Sequence, residues 1–594
     1  MRKSFVLTAI LLAGFGVNSL FAQNVTTGAA DASAGDLESL KARISDQQAQ
    51  IKKLQQAVEE QQKLLERALQ NAATAQPAAT PAVAASPQPV STSNGTAVVA
   101  ASTTNVAGPV RLVPALGGQP LAYPARQDPD ATSGNASPCS EGSPSPTFIH
   151  LGNVCIVPIG FMDLTGLWRS ENAGSGIGTN FGSIPYNNTV AAKNSELRFS
   201  PQNSRIGFRI DGDWKGTHFI GYNEFDFLGT SGATNLTVTN GAFVPRLRLF
   251  WVDVQKGKVE FLAGQSWSML TPNRSGISAL PGDIFYSQVM DVNYMAGLTW
   301  TRQPGVRVLL HPSEKVTFGL SFENPDQYMG GANGSTAITL PSALSSLAGS
   351  QLDNGGSITA TVSGTTVTAA ANTVLATPTV SPDIIAKIAF DPTSRFHFEV
   401  AGIESQFKIW NPNTGKALGA GQHFSTSGAG VQVGLNAAVT KGFRLISTNY
   451  WSDGGGRYLF GQAPDVIVRS NGSLSAVHSG GTVDGFEATI KKTLLFAYYG
   501  GILIERDDAI DTTGKYIGYG YPGSSQNRVI QEITGGFNQT FWRNPKFGAI
   551  SLIGQYEYAT RDPWAVAAGS PKAANDSTIY LDVRYTLPGS TPKF

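Results

Sequence analysis

The links between the apolar runs constrain this chain more than the runs themselves. From Pro158 onward, segments with period-2 alternation are joined by connections that are tight and long in strict turn. His311-Pro312-Ser313-Glu314, Asp391-Pro392-Thr393-Ser394, Lys441-Gly442 and Arg543-Asn544-Pro545-Lys546 are tight; 171–195, 229–244, 268–295, 324–382 and 453–479 are long. An up-and-down antiparallel sheet with short turns at one rim and long loops at the other has this pattern. A soluble sandwich or propeller has no reason to keep it through the whole chain. Sixteen candidate strands result, from 158–170 and 196–211 through 245–256, 258–267 and 296–310 to 576–587. The fold class expected is all-β, a sixteen-stranded antiparallel transmembrane β-barrel over 158–594.

The strand faces say what lies on either side. The hairpin at 245–267 turns at Lys256-Gly257-Lys258. Period-2 counting puts Leu247, Leu249, Trp251, Val259, Phe261 and Ala263 on one face, with Arg246 and Arg248 on the other. A face with arginines is not a dry core, and the opposite face is too apolar for water. Lipid outside and a wet lumen inside reconcile the two. The last strand repeats the logic, with Ile579, Leu581, Val583, Tyr585 and Leu587 outward and Tyr580, Asp582, Arg584 and Thr586 inward. The second strand needs a bulge, because Leu197 and Phe199 share a face with Ile206, Phe208 and Ile210 only if parity flips near Pro201. Trp168, Trp300, Tyr498, Tyr499, Phe541, Trp542 and Trp564 fall near strand ends, where interfacial aromatic girdles belong.

Four segments precede the barrel. Residues 1–22 have the form of a secretory signal peptide, with Arg2 and Lys3 before an apolar run and Ala22 at the cleavage site. Residues 36–70 form an expected periplasmic coiled coil, with Leu37, Ile44, Ile51, Val58 and Leu65 at a, and Gln47 and Gln61 leaving the number of helices open. The Ala/Pro-rich stretch 71–108 is a linker. Residues 109–157 are an irregular segment holding the only two cysteines, Cys139 and Cys155, which are expected to form a disulfide in an oxidising periplasm.

Charged residues make up 14% of the chain and the net charge is +1, which argues against a nucleic-acid partner. The six histidines are scattered without metal-ligand spacing. The glycine-rich Gly174-Ser175-Gly176-Ile177-Gly178 lies in a long loop, and Asp211-Gly212-Asp213 reads as a turn. No enzyme, cofactor or metal is expected. The chemistry lies in lumen charge: parity places Arg205, Arg209, Glu224, Asp226, Arg246, Arg248 and Arg307 inside on neighbouring strands. Such a wall either selects anions, since a guanidinium grips a carboxylate with two hydrogen bonds, or pairs internally and braces the barrel. Arg302 falls on the apolar parity unless Pro304 marks an irregularity. The third long loop, 268–295, carries Arg274, Asp283 and Asp291 and is the candidate constriction by analogy of architecture.

Several motifs resemble the DcaP-like outer-membrane porins: Gly160-Phe161-Met162-Asp163, Ser204-Arg205-Ile206-Gly207-Phe208-Arg209, Glu224-Phe225-Asp226-Phe227, Gly264-Gln265-Ser266-Trp267 and Arg302-Gln303-Pro304 with Arg307. The heptad run before the barrel is similar too. The resemblance implies a trimer of sixteen-stranded barrels in the outer membrane, passing small and often anionic organic solutes. Two other readings are a sugar-selective porin, favoured by a lumen track of aromatics, and a structural tether to the cell wall or a periplasmic partner, favoured by a closed lumen.

Overall fold

The structure is a computed structural model that describes residues 149–151, 154–229, 243–285, 288–347, 351–352, 357–362, 365–370, 379–411, 421–544 and 546–588. The expected signal peptide, coiled coil and linker, and Cys139, lie outside the described residues.

Sixteen strands build one sheet: β1 (Val154–Arg169), β2 (Glu196–Ser200 and Arg205–Trp214), β3 (Thr217–Gly229), β4 (Val244–Lys256), β5 (Val259–Trp267), β6 (Arg302–Ser313), β7 (Val316–Glu323), β8 (Asp383–Thr393), β9 (Phe396–Asn411), β10 (Gln422–Thr440), β11 (Phe443–Asp453), β12 (His478–Ile490), β13 (Thr493–Ile504), β14 (Asn527–Asn544), β15 (Gly548–Pro563) and β16 (Ala574–Thr586). Each pairs antiparallel with its sequence neighbours, and β16 returns to β1 from Phe161↔Thr586 to Arg169↔Thr578, closing the barrel. Turns such as Lys215-Gly216 and Lys256-Gly257-Lys258 sit at one rim, with left-handed φ at Lys215, Gly216 and Gly257. Gly257 meets no atom within 4 Å of an added Cβ, so the turn uses its backbone freedom rather than its size.

Burial alternates as a barrel wall requires. Along β16, Ile579, Leu581 and Val583 are about half exposed, whereas Tyr580 and Asp582 are buried inside. Trp168, Tyr499, Phe541 and Trp542 are exposed on the outer surface, but Trp300 and Tyr498 are buried within the barrel and belong to no girdle. Parity explains Tyr498, since Phe496 and Ile502 share its inward face. Trp300 lies not on a strand but in the loop before β6, which starts at Arg302 and not at 296.

Other expectations shift for local reasons. β1 starts at Val154, four residues before the expected boundary, because Val154–Phe161 pairs with the second half of β2. Cys155 is therefore a buried, lumen-side residue of the barrel wall. Asp211-Gly212-Asp213 is strand and not turn, since β2 runs on to Trp214. The break in β2 lies at 201–204, with Ser204 N–H bonded to the Pro201 carbonyl, and it puts Leu197, Phe199, Ile206 and Phe208 all outside.

The unforeseen irregularity is in β4. Glu224 faces Leu249 while Phe225 faces Leu247, so one residue, Arg248, is extra. A bulge of this kind turns two successive side chains to one side and inverts parity beyond it. Leu249 and Trp251 consequently point into the barrel at 0% and 4% exposure, while Phe250 and Val252 face outward at 60% and 47%. The lipid-facing assignment of Leu249 and Trp251 is corrected accordingly. Inside, Trp251 stacks on Tyr222 of β3, with centroids 5.2 Å apart. Quenching of tryptophan fluorescence by brominated lipid tests the bulge. Phe250→Trp is expected to add a quenched component and Trp251→Phe to remove none; the opposite pair of results would restore unbroken parity.

Candidate functional site

Five of the expected lumen charges, Arg205, Glu224, Asp226, Arg246 and Arg248, form one network, centred on the extra residue of β4. Arg248 Nε donates to Glu224 Oε1 at 2.6 Å and Nη1 to Asp226 Oδ2 at 2.7 Å. Arg246 grips Asp226 with Nε at 3.0 Å and Nη2 at 2.6 Å, and Arg205 Nη1 reaches Glu224 Oε1 at 3.4 Å. The register explains the meeting, since Arg205 pairs with Asp226 across β2–β3 and Asp226 with Arg246 across β3–β4. The other two expected members stand apart. Arg209 makes a two-pronged pair with Asp211 of its own strand, at 2.7 and 2.6 Å. Arg307 Nη2 bonds Ser266 Oγ at 2.7 Å and the Trp267 carbonyl.

Burial separates two jobs within the cluster. The side chains of Arg205, Arg248, Glu224 and Asp226 are at most 1% exposed, so their charges are held by one another; Arg246 keeps 16%. Arg302 joins them from the start of β6. It makes no ion pair among the described residues, and its guanidinium lies 5.5 Å from the Trp267 ring centroid and 5.8 Å from that of Trp300. Arg302 Nη1 and Arg205 Nε and Nη2 are buried with no hydrogen-bond partner among the described residues. Among the described residues, the four guanidiniums of Arg205, Arg246, Arg248 and Arg302 thus face the carboxylates of Glu224 and Asp226, and the excess in this cluster is positive. Beneath them Trp267, Tyr294 and Trp300 pack at 5.0–6.0 Å, and Phe460 stacks on Trp300 at 5.1 Å. These rings are at most 5% exposed, so they form a floor for the arginines, not an open aromatic track.

The third long loop, 268–301, lies inside the barrel and is buried over most of its described length. Wall carboxylates hold it by its backbone. Met269 N–H donates to Glu323 of β7 at 2.7 Å, Asn273 N–H to Glu399 of β9 at 3.2 Å, Gly276 N–H to Asp391 of β8 at 3.0 Å and Ala296 N–H to Glu532 of β14 at 2.9 Å. Lys387 of β8 donates to the Thr271 carbonyl at 2.9 Å and Asn273 Oδ1 at 2.8 Å. The loop therefore spans from one side of the wall to the other. Its three expected residues have different stations. Arg274 pairs with Glu487 of β12 at 2.7 and 2.9 Å. Asp291 is fully buried and accepts from Thr179 N–H at 2.8 Å and Tyr580 OH at 2.9 Å, joining the first long loop and β16. Asp283 accepts from Ser275 Oγ at 3.4 Å within the loop. A further long loop is tied in at Asp465, which accepts from the Arg457 and Tyr328 amides and whose carboxyl burial pushes well above the usual range.

Sequence reasoning put Arg302 on the apolar parity unless Pro304 marks an irregularity, and it missed Lys387 and the loop-holding carboxylates Glu323, Asp391, Glu399, Glu487 and Glu532. A signal was present for β8, where Asp383, Ile385, Lys387, Ala389 and Asp391 share one parity and mix charges into an apolar strand.

No protein-family model and no curated protein sequence matches the chain. Among solved structures it is similar to the outer-membrane channel DcaP of Acinetobacter baumannii, at 16% identity and a TM-score of 0.52 over 74% of this chain and 99% of that one. The family resemblance carried by the strand motifs is thus matched in fold. An anion-selective porin from Comamonas acidovorans aligns at 12% identity and a TM-score of 0.38, covering 73% of this chain and 100% of that one. OmpT of Vibrio cholerae aligns at 9% and 0.37, covering 74% and 99%.

Removing Arg248 leaves Glu224 and Asp226 buried with less charge compensation. Arg248→Ala is expected to destabilise the barrel by about 3–5 kcal/mol, read as a lower temperature of unfolding in detergent. Arg302→Ala, which strands no carboxylate, is expected to change it by much less; equal losses would contradict the division of roles.

Proposed function

We propose that the chain is a DcaP-like porin of the outer membrane, through which small hydrophilic solutes, carboxylate anions foremost, diffuse by size and charge with no covalent step. The observation that carries this reading is the positive excess of Arg205, Arg246, Arg248 and Arg302 over Glu224 and Asp226, placed in a barrel lumen beside a loop that narrows it. In a lumen with low-dielectric walls such an excess concentrates anions. The braced arginines, Arg205 and Arg248, hold the wall, and the selecting ones are Arg246 and Arg302. The buried state of the aromatic floor speaks against the sugar-selective alternative. The signal peptide, the Cys139–Cys155 disulfide and a periplasmic coiled coil belong to the same reading.

An oligomer, with three copies as the resemblance implies, is supported by a polar patch on the outer face. At mid-strand on β11–β14, Ser447 donates to Asp484 at 2.6 Å, Thr482 Oγ1 lies 2.8 Å from Asp484 Oδ2 and 3.0 Å from Asn449 Oδ1, and Gln531 donates to Tyr499 at 3.0 Å. Apolar Trp451 and Leu503 lie on one side of the patch and Leu445 and Phe486 on the other. A carboxylate at that depth is costly against lipid and less so against protein. Ser447→Trp is therefore expected to yield monomers by mass measurement in detergent, and intact trimers would remove the patch as an interface.

Planar bilayers test the channel. Stepwise conductance is expected, with a reversal potential in a salt gradient displaced to the anion side. Arg246→Ala with Arg302→Ala should move it toward cations. No steps at all would overturn the porin reading, and an unmoved potential would leave the arginines structural.

A further inference from the structure

We infer that His397 is a proton-operated clasp on the loop that narrows the lumen, holding it in place when protonated and loosening it when neutral. The inference rests on the porin reading only for its effect on conductance.

His397 is the second residue of β9, next to the short-turn rim, and its side chain is 2% exposed. Its Nδ1 lies 2.9 Å from Asp391 Oδ1 and its Nε2 3.1 Å from Glu399 Oε2. Only the imidazolium carries a hydrogen on both nitrogens, so only the charged form can bond both carboxylates at once. A neutral ring would donate to one and set a lone pair against the other. These two carboxylates are also among those that hold the loop: Asp391 Oδ2 accepts from Gly276 N–H at 3.0 Å, and Glu399 accepts from Asn273 N–H at 3.2 Å. The proton on His397 and the descending arm of the loop therefore share their acceptors.

Charge balance points the same way. Lys387 Nζ lies 2.8 Å from Glu399 Oε2 and also bonds Thr271 O and Asn273 Oδ1. With His397 protonated, Lys387 and His397 match Asp391 and Glu399. Without that proton a negative charge is left over in a buried site, where it has the most effect. The other charged groups of the neighbourhood are Arg274 and Asp283 in the loop, Glu487 of β12 paired to Arg274, Arg444 of β11 bonded to Asn436 beside His397 in register, and Arg307 and Glu323 near Lys387. Arg274 is already paired to Glu487, at 2.7 Å, so its charge is taken.

His218 and His311 also meet carboxylates, Asp213 at 2.8 Å and Glu260 at 2.9 Å. Neither carboxylate bonds the loop, so they provide an internal control. The clasp is full below the ordinary imidazole range and weakens only as pH rises above it, because two carboxylates hold the proton.

Single-channel conductance of the full-length protein, compared at about pH 6 and at about pH 10, the upper value lying well beyond the ordinary imidazole range, tests this. Wild type is expected to conduct more at the higher pH. His397→Gln should show the larger conductance at both, His397→Arg the smaller at both, and His311→Gln the wild-type profile. A wild type without pH dependence, or a His397→Gln profile that still follows pH, would overturn the clasp. A spin label at Ser278→Cys reads the loop independently of transport. It is expected to gain mobility from low to high pH in wild type and in no comparable degree in His397→Arg. If no conductance is seen under any condition but the label responds, the porin reading fails and the clasp stands; if the label is indifferent to pH and to both substitutions, the clasp fails.

Discussion

Backbone in hydrocarbon has no water to bond, so every N–H and C=O of a spanning sheet must be paired within the sheet. A sheet meets that demand only by closing, and here closure depends on the pairing of β16 with β1 from Phe161↔Thr586 to Arg169↔Thr578. Once closed, each strand has one face outward and one to the lumen, and the sequence must satisfy both at a two-residue period. Irregular positions are then confined to places where a change of parity serves the interior. The break at 201–204 keeps Leu197, Phe199, Ile206 and Phe208 on the outside together. The extra residue at Arg248 turns Arg248, Leu249 and Trp251 inward, next to Glu224 and Tyr222.

The interior obeys a second demand. Charges shielded from water must be compensated by partners, or their burial opposes folding. The wall answers with ion pairs on one side, Arg248 with Glu224 and Asp226, and Arg584 with Asp163 at 2.8 Å. On the other it uses carboxylates whose partners are amides of the loop 268–301. That loop is consequently part of the barrel's electrostatics and not an appendage in its mouth. Removing a wall carboxylate such as Glu399 would release both Lys387 and the Asn273 amide.

Much of this was legible in the sequence, and the reason is the period. Strand positions, the rim asymmetry, the inward charges and the flip near Pro201 all follow from counting by two. What counting cannot supply is a bulge with no proline to announce it, so Leu249 and Trp251 were read onto the wrong face. Nor does counting work inside a loop, where residue spacing says nothing about direction. Trp300 and Tyr294 sit in such a stretch, and the floor they form under Arg302 exists only after the chain has crossed the lumen. Arg302 itself stands at the junction of loop and strand, where parity begins, so counting puts it with the apolar set unless Pro304 breaks the period.

The central claim is that the loop within the lumen, and not the bare barrel, defines the passage. Its most direct measure is the single-channel conductance of a variant in which residues 272–299 are replaced by a short glycine–serine link, compared with wild type at one salt concentration. The account predicts a larger step and weakened charge selectivity, because the barrel persists without its internal bridge. A step of unchanged size would mean that solutes pass elsewhere than beside this loop, and would contradict the account.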